Sequence, residues 1–482
     1  MGTFIKDIFR TKQIRDLQET EAKHGLKRAL GPLHLVFLGI GCTIGAGIFV
    51  LTGTVAAQNA GPGIMLSFVL AGFAALFAAL CYSEFASLVP ISGSAYTYSY
   101  TTLGEIIAWI IGWDLVLEYA IGAMAVSIGW SGYVTEFLKN FGLAIPPQLA
   151  AAHGSLVTLA NGQQVEAWFN LPAVFIVFAI TVLLIIGIRE SASLNNLIVL
   201  IKIGVILLFV FGSMHAIKVG NWHPFIPQNN GEWGHFGWTG IMMGAGIVFF
   251  AYVGFDAVST AAQEARNPRR DMPIGLIGSL LVCTVLYIAV AAVATGVVSY
   301  KDLDVPHPIA VAASHAGLPW MSFAVEFGAI AGLSSVILVL LLGQSRIIWT
   351  MAHDGLLPPF FSHVHPKLKT PWISSVILGL LVSIFSAFFT IREAGSLVSI
   401  GTLLAFIIVC SSVLILRIRE PQHERPFRTP CIWLVAPVGA LASLVLMLSL
   451  PGLTWIRLVV WLVIGQVIYF AYGRKHSVLA GR

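Results

Sequence analysis

Two long apolar stretches of the chain contain clustered glycines, and a membrane helix that opens at such a point can bind a charged ligand with its backbone. The first stretch has glycines at positions 39, 41, 45 and 47, and the second has them at positions 244, 246 and 254. An unpaired backbone N–H or C=O costs several kcal/mol in hydrocarbon, so an interrupted helix is tolerated where it lines a cavity. Paired interruptions in corresponding spans indicate the substrate site of a transporter.

The first interruption offers hydrogen-bond donors. Backbone N–H groups around Ala46 to Phe49 would begin a second half-helix and point toward an anion. A helix N-terminus carries about half a positive charge and binds carboxylate or phosphate readily. The residues of this interruption that we expect to contact substrate are Thr43, Ile44, Gly45, Ala46, Gly47 and Ile48.

The second interruption offers acceptors. The carbonyl groups of Phe249, Phe250, Ala251 and Val253 would end a half-helix at its negative pole, where an ammonium group is stabilised. Because an α-amino acid carries a carboxylate and an ammonium group on one carbon, the two interruptions together predict an amino acid site. Phe250, Ala251 and Val253 are its expected contacts, and Phe250 is also the expected lid. The alternative is that the glycines only allow close helix packing.

A lysine within an apolar stretch marks a functional position, because charge inside a span is costly. Lys202 would lie about 12 Å inside the fifth stretch if its helix begins near Leu194. One interpretation is a side chain that extends to the headgroups. The other is a desolvated lysine that gains and loses a proton during transport.

Acidic residues supply further candidates. Asp114 and Glu118 lie at positions i and i+4 of one helix face, and Asp256 follows the second interruption. We expect Glu118 and Asp256 to line the substrate site, with a structural role as the alternative for each, and Asp114 to be a helix-terminal or packing residue. The expected gate residues are Phe250, Glu84, Glu264 and Arg346, the last three through ion pairs.

The composition requires these residues to be positioned by membrane helices. The chain has 482 residues, of which 57% are hydrophobic and 10% are charged, and its mean hydropathy is +0.87. Soluble domains carry about 25% charged residues. Runs of about 20 apolar residues cross a bilayer, and we predict an all-α integral membrane protein with twelve such helices. They lie at about 33–54, 64–89, 104–136, 171–188, 194–215, 238–262, 273–298, 321–350, 371–390, 395–417, 432–450 and 453–473.

The distribution of basic residues predicts the orientation. If the N-terminus is cytoplasmic, the only lysines and arginines in outer segments are Lys139, Lys218, Lys301, Arg392 and Arg457. This bias follows the positive-inside rule. It predicts a multi-pass protein of the cell membrane, inner or plasma, with both termini in the cytoplasm, and excludes a nucleic-acid-binding surface.

The order of the spans predicts an inverted repeat. The segments are a cytoplasmic tail at 1–32, five helices at 33–217, five more at 238–417, two additional helices at 432–473 and a cytoplasmic tail at 474–482. An odd number of crossings inverts the second set relative to the first. Helices 1 and 6, which contain the interruptions, then occupy corresponding places.

Several other classes of protein are excluded. No phosphate-binding loop is present, and the glycines from 39 to 45 lack the strand and helix of a dinucleotide site. The five cysteines have no zinc spacing, and the histidines at 363 and 365 have no further ligands nearby. We therefore expect neither an enzyme nor a metal site, and no cofactor other than a coupling proton.

Several motifs, taken together, resemble the amino acid-polyamine-organocation superfamily, and in particular the cationic amino acid transporters and their bacterial relatives. The similarity covers nearly the whole chain. The segments that carry it are Leu38–Phe49, Glu84–Ser87, Ser92–Tyr96, Gly112–Tyr119, Phe255–Asp256, Glu264–Pro268, Gly343–Arg346, Asp354–Pro358 and Tyr472–Ser477.

The resemblance implies a five-plus-five inverted repeat with alternating access and a substrate site at the two interruptions. It implies that Lys202 takes the place of a sodium ion bound by related carriers, which points to proton coupling. It also implies that Glu118 and Asp256 line or support the pocket. Many relatives have Ser or Thr where this chain has Ala46, so one side-chain hydrogen bond to the substrate carboxylate is absent here.

These observations predict proton-coupled uptake of amino acids, with cationic amino acids favoured by Glu118. The alternatives are an exchanger or facilitator for neutral amino acids without proton coupling, and an amino acid sensor that transports nothing. The expected partners are the amino acid and the lipid bilayer. A monomer and a complex with a small single-span protein are both compatible with the sequence.

Overall fold

A computed structural model describes residues 10–12, 30–88, 94–159, 162–187, 192–368, 370–422 and 424–480. Most of the tail predicted at 1–32 and the last two residues of the tail at 474–482 lie outside these ranges. The described chain is largely helical. This follows from its long apolar segments, because a helix satisfies every interior backbone group within the segment.

The first half of the chain contains one divided helix and several long ones. Pro32–Thr43 (α1) is followed, after a break, by π-helical turns at Gly47–Leu51 and Ala56–Ala60 on either side of Thr52–Val55 (α2). The next helices are Ile64–Leu88 (α3), Ser94–Thr102 (α4), Glu105–Lys139 (α5), Leu171–Ile186 (α6) and Ala192–Ser213 (α7).

The second half begins with another divided helix. Gly237–Val248 (α8) is continued by 3₁₀ turns at Phe249–Tyr252 and Phe255–Glu264. The later helices are Pro268–Val297 (α9), Pro308–His315 (α10), Pro319–His353 (α11), Trp372–Ser386 (α12), Ile391–Arg419 (α13), Ile432–Ser449 (α14), Gly452–Ile468 (α15) and Arg474–His476 (α16).

Within the described residues, nine helical segments are long and apolar enough to cross a bilayer. Three shorter apolar helices, α1, α6 and α12, accompany them. The chain is therefore a multi-pass, predominantly helical membrane protein. It also has a feature that the all-helical prediction missed, a two-stranded antiparallel hairpin of Leu156–Thr158 (β1) and Gln164–Glu166 (β2).

The divided helices lie at the centre of the helical bundle. In the most apolar window of segment Gly237–Ser259, 94% of residues are buried, against 22% in segment Gly452–His476. Helices α5 and α11 pack along each other, α9 packs on α1 and α3, and α13 packs on α5. The second divided helix is thus enclosed by protein, whereas the last span is open to lipid.

Polar contacts gather at two opposite faces of the bundle. At the tail face, Lys12 Nζ lies 2.6 Å from Asp354 Oδ1, and Tyr469 donates a hydrogen bond to Glu105. At the far face, Gln58 Nε2 donates to Asp304 at 2.7 Å. Helix α5 begins with Glu105 at the tail face and ends with Lys139 at the far face, so this one helix extends across the bundle.

Candidate substrate site at two broken helices

The first break lies between α1 and the following π-helical turn. Helix α1 ends at Thr43, Ile44 is extended with ψ 97°, and Ala46 returns to helical angles with φ −63° and ψ −18°. The N–H of Phe49 donates to the carbonyl of Gly45 at 3.3 Å. The N–H groups just before Phe49 belong to the first turn of the new helix, where no intrahelical acceptor exists. The first break therefore presents donors at the positions that the sequence predicted.

The second break lies between two 3₁₀ segments. Val253 is extended with φ −62° and ψ 136°, and Gly254 adopts φ +104°, a conformation that glycine adopts readily. The N–H of Val253 donates to the carbonyl of Phe250 at 3.1 Å. A carbonyl oxygen has two lone pairs, so Phe250 keeps acceptor capacity even though this bond uses part of it.

The two breaks contact each other directly. A Cβ placed on Gly47 would lie 2.4 Å from Cα of Ala251, and one on Gly254 would lie 2.8 Å from the carbonyl oxygen of Cys42. At both points the backbone of one broken helix lies directly against the backbone of the other. Donors of the first break and acceptors of the second are brought into one small region, as amino acid binding requires.

Tyr287 of α9 connects the two breaks through one hydroxyl group. Its oxygen lies 2.9 Å from the carbonyl oxygen of Thr43 and 2.7 Å from that of Ala251. Sequence reasoning missed this residue. The available signal was a tyrosine inside an apolar span, because a buried tyrosine hydroxyl usually finds a hydrogen-bond partner.

Lys202 of α7 reaches the first break from the side. Its side chain is fully buried, and Nζ donates to the carbonyls of Gly41 at 2.7 Å and of Ile44 at 3.2 Å. The last carbonyls of a helix lack intrahelical donors and form its negative pole. The ammonium group therefore lies at the broken end of α1, and its role in proton transfer stays a prediction.

The acidic candidates lie nearer to the tail face than the first break does. Glu118, Asp114 and Asp256 are all buried, and the carboxyl group of Glu118 lies within electrostatic range of each of the other two. A Cβ on Gly401 of α13 would lie 2.9 Å from Oδ1 of Asp114, which fits a packing role for that residue. Asp256 follows the second break within the 3₁₀ turn.

The wall beside the first break is aliphatic. A Cβ on Gly45 would lie 3.6 Å from Val336 and 3.9 Å from Val126. Val126 is eight residues beyond Glu118 on α5, or about 12 Å along the helix axis. The side chains nearest to Gly45 on this side are therefore valines, and Glu118 lies about two helical turns away along α5.

The four predicted gate residues fall in three places. Glu84 accepts hydrogen bonds from Nε and Nη2 of Arg417, both at 2.8 Å, and lies 3.2 Å from Nε of Arg425. Glu264 and Arg346 lie within electrostatic range of each other. Phe250 is buried at the second break. Only Phe250 is at the substrate site, and the sequence did not predict the partners of Glu84.

Comparison with known proteins agrees with this architecture. The model of a family described as "Amino acid permease" matches residues 30–471. Branched-chain amino acid permease BcaP of Bacillus subtilis is 46% identical over 98% of this chain and 99% of its own length. The methylthioribose transporter of the same organism is 44% identical over 98% of this chain and 100% of its own length.

A more distant relative belongs to the group that the motifs indicated. The vacuolar cationic amino acid transporter 4 of Arabidopsis thaliana is 36% identical over 87% of this chain and 68% of its own length. The chain therefore belongs to the amino acid permease family, and the predicted resemblance to the amino acid-polyamine-organocation superfamily is confirmed. The names of the family and of these relatives indicate a transporter rather than an enzyme.

Proposed function

We propose that this protein is a proton-coupled secondary transporter that takes up amino acids by alternating access. The observation that carries the proposal is the contact between the two breaks. The contact brings the start of one half-helix, which has N–H groups to donate, against the end of another, which has carbonyl groups to accept. A carboxylate and an ammonium group on the same carbon match that arrangement.

The proposal includes twelve crossings in two inverted sets of five with two further helices. The segment Gly47–Leu88 has 42 residues, which is too long for one crossing of about 20 residues. We assign its first part, with α1, to the first crossing and its second part to the second crossing. The repeats extend over 33–217 and 238–417, and 432–473 holds the additional pair.

Proton coupling is assigned to Lys202. The buried ammonium group that donates to the carbonyls of Gly41 and Ile44 would lose these two acceptors in a state where the break has moved away, and desolvation then disfavours its charged form. Movement of α1 relative to α7 during the transport cycle would then favour proton release. No cofactor other than the proton takes part in this scheme.

Two classes of substrate side chain have support. Val126 and Val336 beside Gly45 favour a neutral aliphatic side chain. The relative named as a branched-chain amino acid permease is consistent with this class. We therefore favour neutral aliphatic amino acids over cationic ones, because Val126 and Val336 lie beside the first break. The sequence analysis had the opposite preference.

The second class is a cationic side chain. It would pair with Asp256, which lies two residues beyond Gly254 of the second break, or with Glu118 of α5, both of them buried. The relatives named as cationic amino acid transporters are consistent with this class. Competition of leucine, isoleucine and valine against arginine, lysine and ornithine separates the two classes.

Uptake of radiolabelled amino acids into proteoliposomes tests the proposal. With an inward proton gradient, we expect accumulation above equilibrium, and collapse of the gradient by a protonophore should abolish it. An exchanger would instead require amino acid inside the vesicle, and a sensor would bind without uptake. No gradient-stimulated uptake of any of the twenty amino acids would overturn the proposal.

Replacement of Lys202 tests the coupling residue. Lys202→Met should retain binding of the amino acid, while stimulation of uptake by the proton gradient falls at least tenfold, because methionine carries no titratable proton. Lys218→Met, at an exposed position, is the matched control and should behave as the wild type. Unchanged stimulation in Lys202→Met would return Lys202 to a purely structural role.

The proposed location is the cell membrane, inner or plasma, with the tail face and both termini in the cytoplasm. Its basis is the excess of lysine and arginine in segments of the tail face. The proposed partners are the amino acid and the lipid bilayer, and the protein acts as a monomer or with a small single-span partner.

A further inference from the structure

A cavity opens at the far face, separate from the two broken helices. Its volume is about 600 Å³, and the end of α5, helix α10 and the start of α11 enclose it. Small-molecule sites have volumes of about 300–1,000 Å³ and combine apolar walls with a few polar groups. The lining residues that matter below are Glu136, Asn140, His307, Trp320, Phe323 and Glu326.

Glu326 is the buried polar group of this cavity. Only 3% of the residue is exposed, and its carboxylate accepts hydrogen bonds from Asn140 Nδ2 at 2.8 Å and Ser322 Oγ at 3.2 Å. Among the residues that the structure describes, no lysine or arginine lies within ion-pair distance of it. A buried carboxylate held only by neutral donors is costly unless a cation joins it.

Glu136 adds a second negative charge to the same wall. It lies 2.8 Å from Lys139 Nζ and 3.7 Å from His307 Nε2, and it acts electrostatically on Glu326. Burial lowers the pKa of His307, so near neutral pH the imidazole does not offset this charge. Glu136 and Glu326 therefore present two carboxyl groups to the cavity, with Lys139 as the neighbouring cation.

Aromatic rings form the outer part of the cavity. The rings of Phe137 and Phe323 are stacked with centroids 5.1 Å apart, and Phe141 lies 6.1 Å from Phe323. Trp320 stands exposed at the mouth. Aromatic faces attract cations and also cover an apolar body. The described residues hold no cluster of ligands suited to a metal ion, which favours an organic cation.

We propose that the far-face cavity binds an amphipathic organic ammonium compound, with the ammonium group at Glu326 and Glu136 and the apolar part against Phe323 and Trp320. The same chemistry occurs in a soluble amine and in the headgroup of an aminophospholipid. The site is distinct from the substrate site and does not depend on the transport function proposed above.

A short chain of contacts leads from this cavity to the first broken helix. The His307 ring lies 6.4 Å from the ring of Tyr133, and Tyr133 donates a hydrogen bond to the carbonyl of Phe49 at 2.7 Å. Phe49 belongs to the π-helical turn that follows the break. A compound that fixes α10 against α5 would therefore restrain the outer half of the first broken helix.

Calorimetric titration of the purified full-length protein with 2-phenylethylammonium tests the site. We expect saturable binding, with 2-phenylethanol, which lacks the charge, at least tenfold weaker. Glu326→Gln should weaken the amine at least tenfold, and the exposed-residue control Glu232→Gln should bind as the wild type does. Phe323→Ala serves as a second variant if Glu326→Gln does not fold.

Two further measurements separate this site from others. The transported amino acid should change the affinity for the amine at most through these contacts, and at saturation it should not displace the amine, because the two sites are separate. In nanodiscs, weaker amine binding with phosphatidylethanolamine than with phosphatidylcholine alone identifies the lipid headgroup as the occupant, and equal binding identifies a soluble amine. Absence of saturable binding, equal affinity in wild type and Glu326→Gln, or displacement by the amino acid would overturn the proposal.

Discussion

Tyr287 shows how one side chain can hold an otherwise backbone-built site. Its hydroxyl has one hydrogen and lies within hydrogen-bond distance of two carbonyl oxygens, those of Thr43 and Ala251. It can therefore donate to only one of them at a time. Each carbonyl keeps a lone pair for another donor, so Tyr287 fixes the breaks without occupying all of their acceptor capacity.

Removal of this hydroxyl should weaken the site. Tyr287→Phe removes the one hydrogen bond that the hydroxyl donates to the carbonyls of Thr43 and Ala251, and a buried carbonyl left without its donor costs about 1–3 kcal/mol. We expect a lower melting temperature and amino acid affinity reduced about tenfold, measured by thermal unfolding and calorimetric titration. Tyr300→Phe, a half-buried tyrosine elsewhere, should change neither. Wild-type affinity in Tyr287→Phe would show that the hydroxyl has no part in holding the breaks.

Residue type was enough to choose candidate site residues, and distance along the chain hid some of the contacts between residues. Lys202, Glu118 and Asp256 could be chosen because charge is rare inside apolar segments. The partners of Glu84 could not, because Arg417 lies 333 positions away in the chain. Nothing local distinguishes that arginine from the other basic residues of its face.

At the scale of elements, the glycines of the broken helices serve two purposes at once. Glycine at position 254 adopts a positive φ, which opens the helix. A Cβ on Gly39 would lie 2.4 Å from Oγ of Ser279, and one on Gly47 would meet Ala251. Helix opening and close packing were alternatives in the sequence analysis, and the structure has both. The proposed site needs both, because two broken helices that share one ligand must cross closely.

A methyl group at the crossing should separate the two breaks. In Gly47→Ala, Cβ would lie 2.4 Å from a backbone atom of Ala251, and backbone cannot yield as a flexible side chain would. We expect amino acid binding to fall at least tenfold in calorimetric titration.

The matched control for this substitution is Gly204→Ala in α7. An added Cβ there has nothing within 4 Å, so the same chemical change should leave binding at the wild-type level. If both variants bound amino acid as the wild type does, close approach of the two breaks would not be required for binding.

At the scale of the whole molecule, contacts far apart in the chain close each face of the bundle. At the tail face, Lys12 pairs with Asp354, and Arg10 donates to the carbonyl of Leu479 at 2.9 Å. The two ends of the chain therefore meet at one face. An even number of crossings has this consequence, and the proposed orientation places that face in the cytoplasm.

Thiol labelling checks the orientation. Cys431 is exposed, while Cys42, Cys81, Cys283 and Cys410 are buried. In intact cells, a membrane-impermeant maleimide should label Cys431 only after permeabilisation. In the Cys431→Ser background, Glu232→Cys at the far face should be labelled without permeabilisation. Labelling of Cys431 in intact cells would reverse the proposed orientation.

Hydrophobic runs predicted the helical architecture well, because the bilayer imposes one length and one period on every span. The hairpin of β1 and β2 was missed, since short strands in a polar loop carry no such constraint. The far-face cavity could not be predicted from the sequence either, because its lining residues come from three separate elements.

The most direct test of the account is equilibrium binding of an amino acid and its two truncated analogues to the purified protein. The best-bound amino acid is compared with the amine that lacks its carboxylate and the acid that lacks its ammonium group. If the two breaks bind both groups with backbone, each analogue should bind at least ten times more weakly than the amino acid. Equal affinity of either analogue would contradict the central claim.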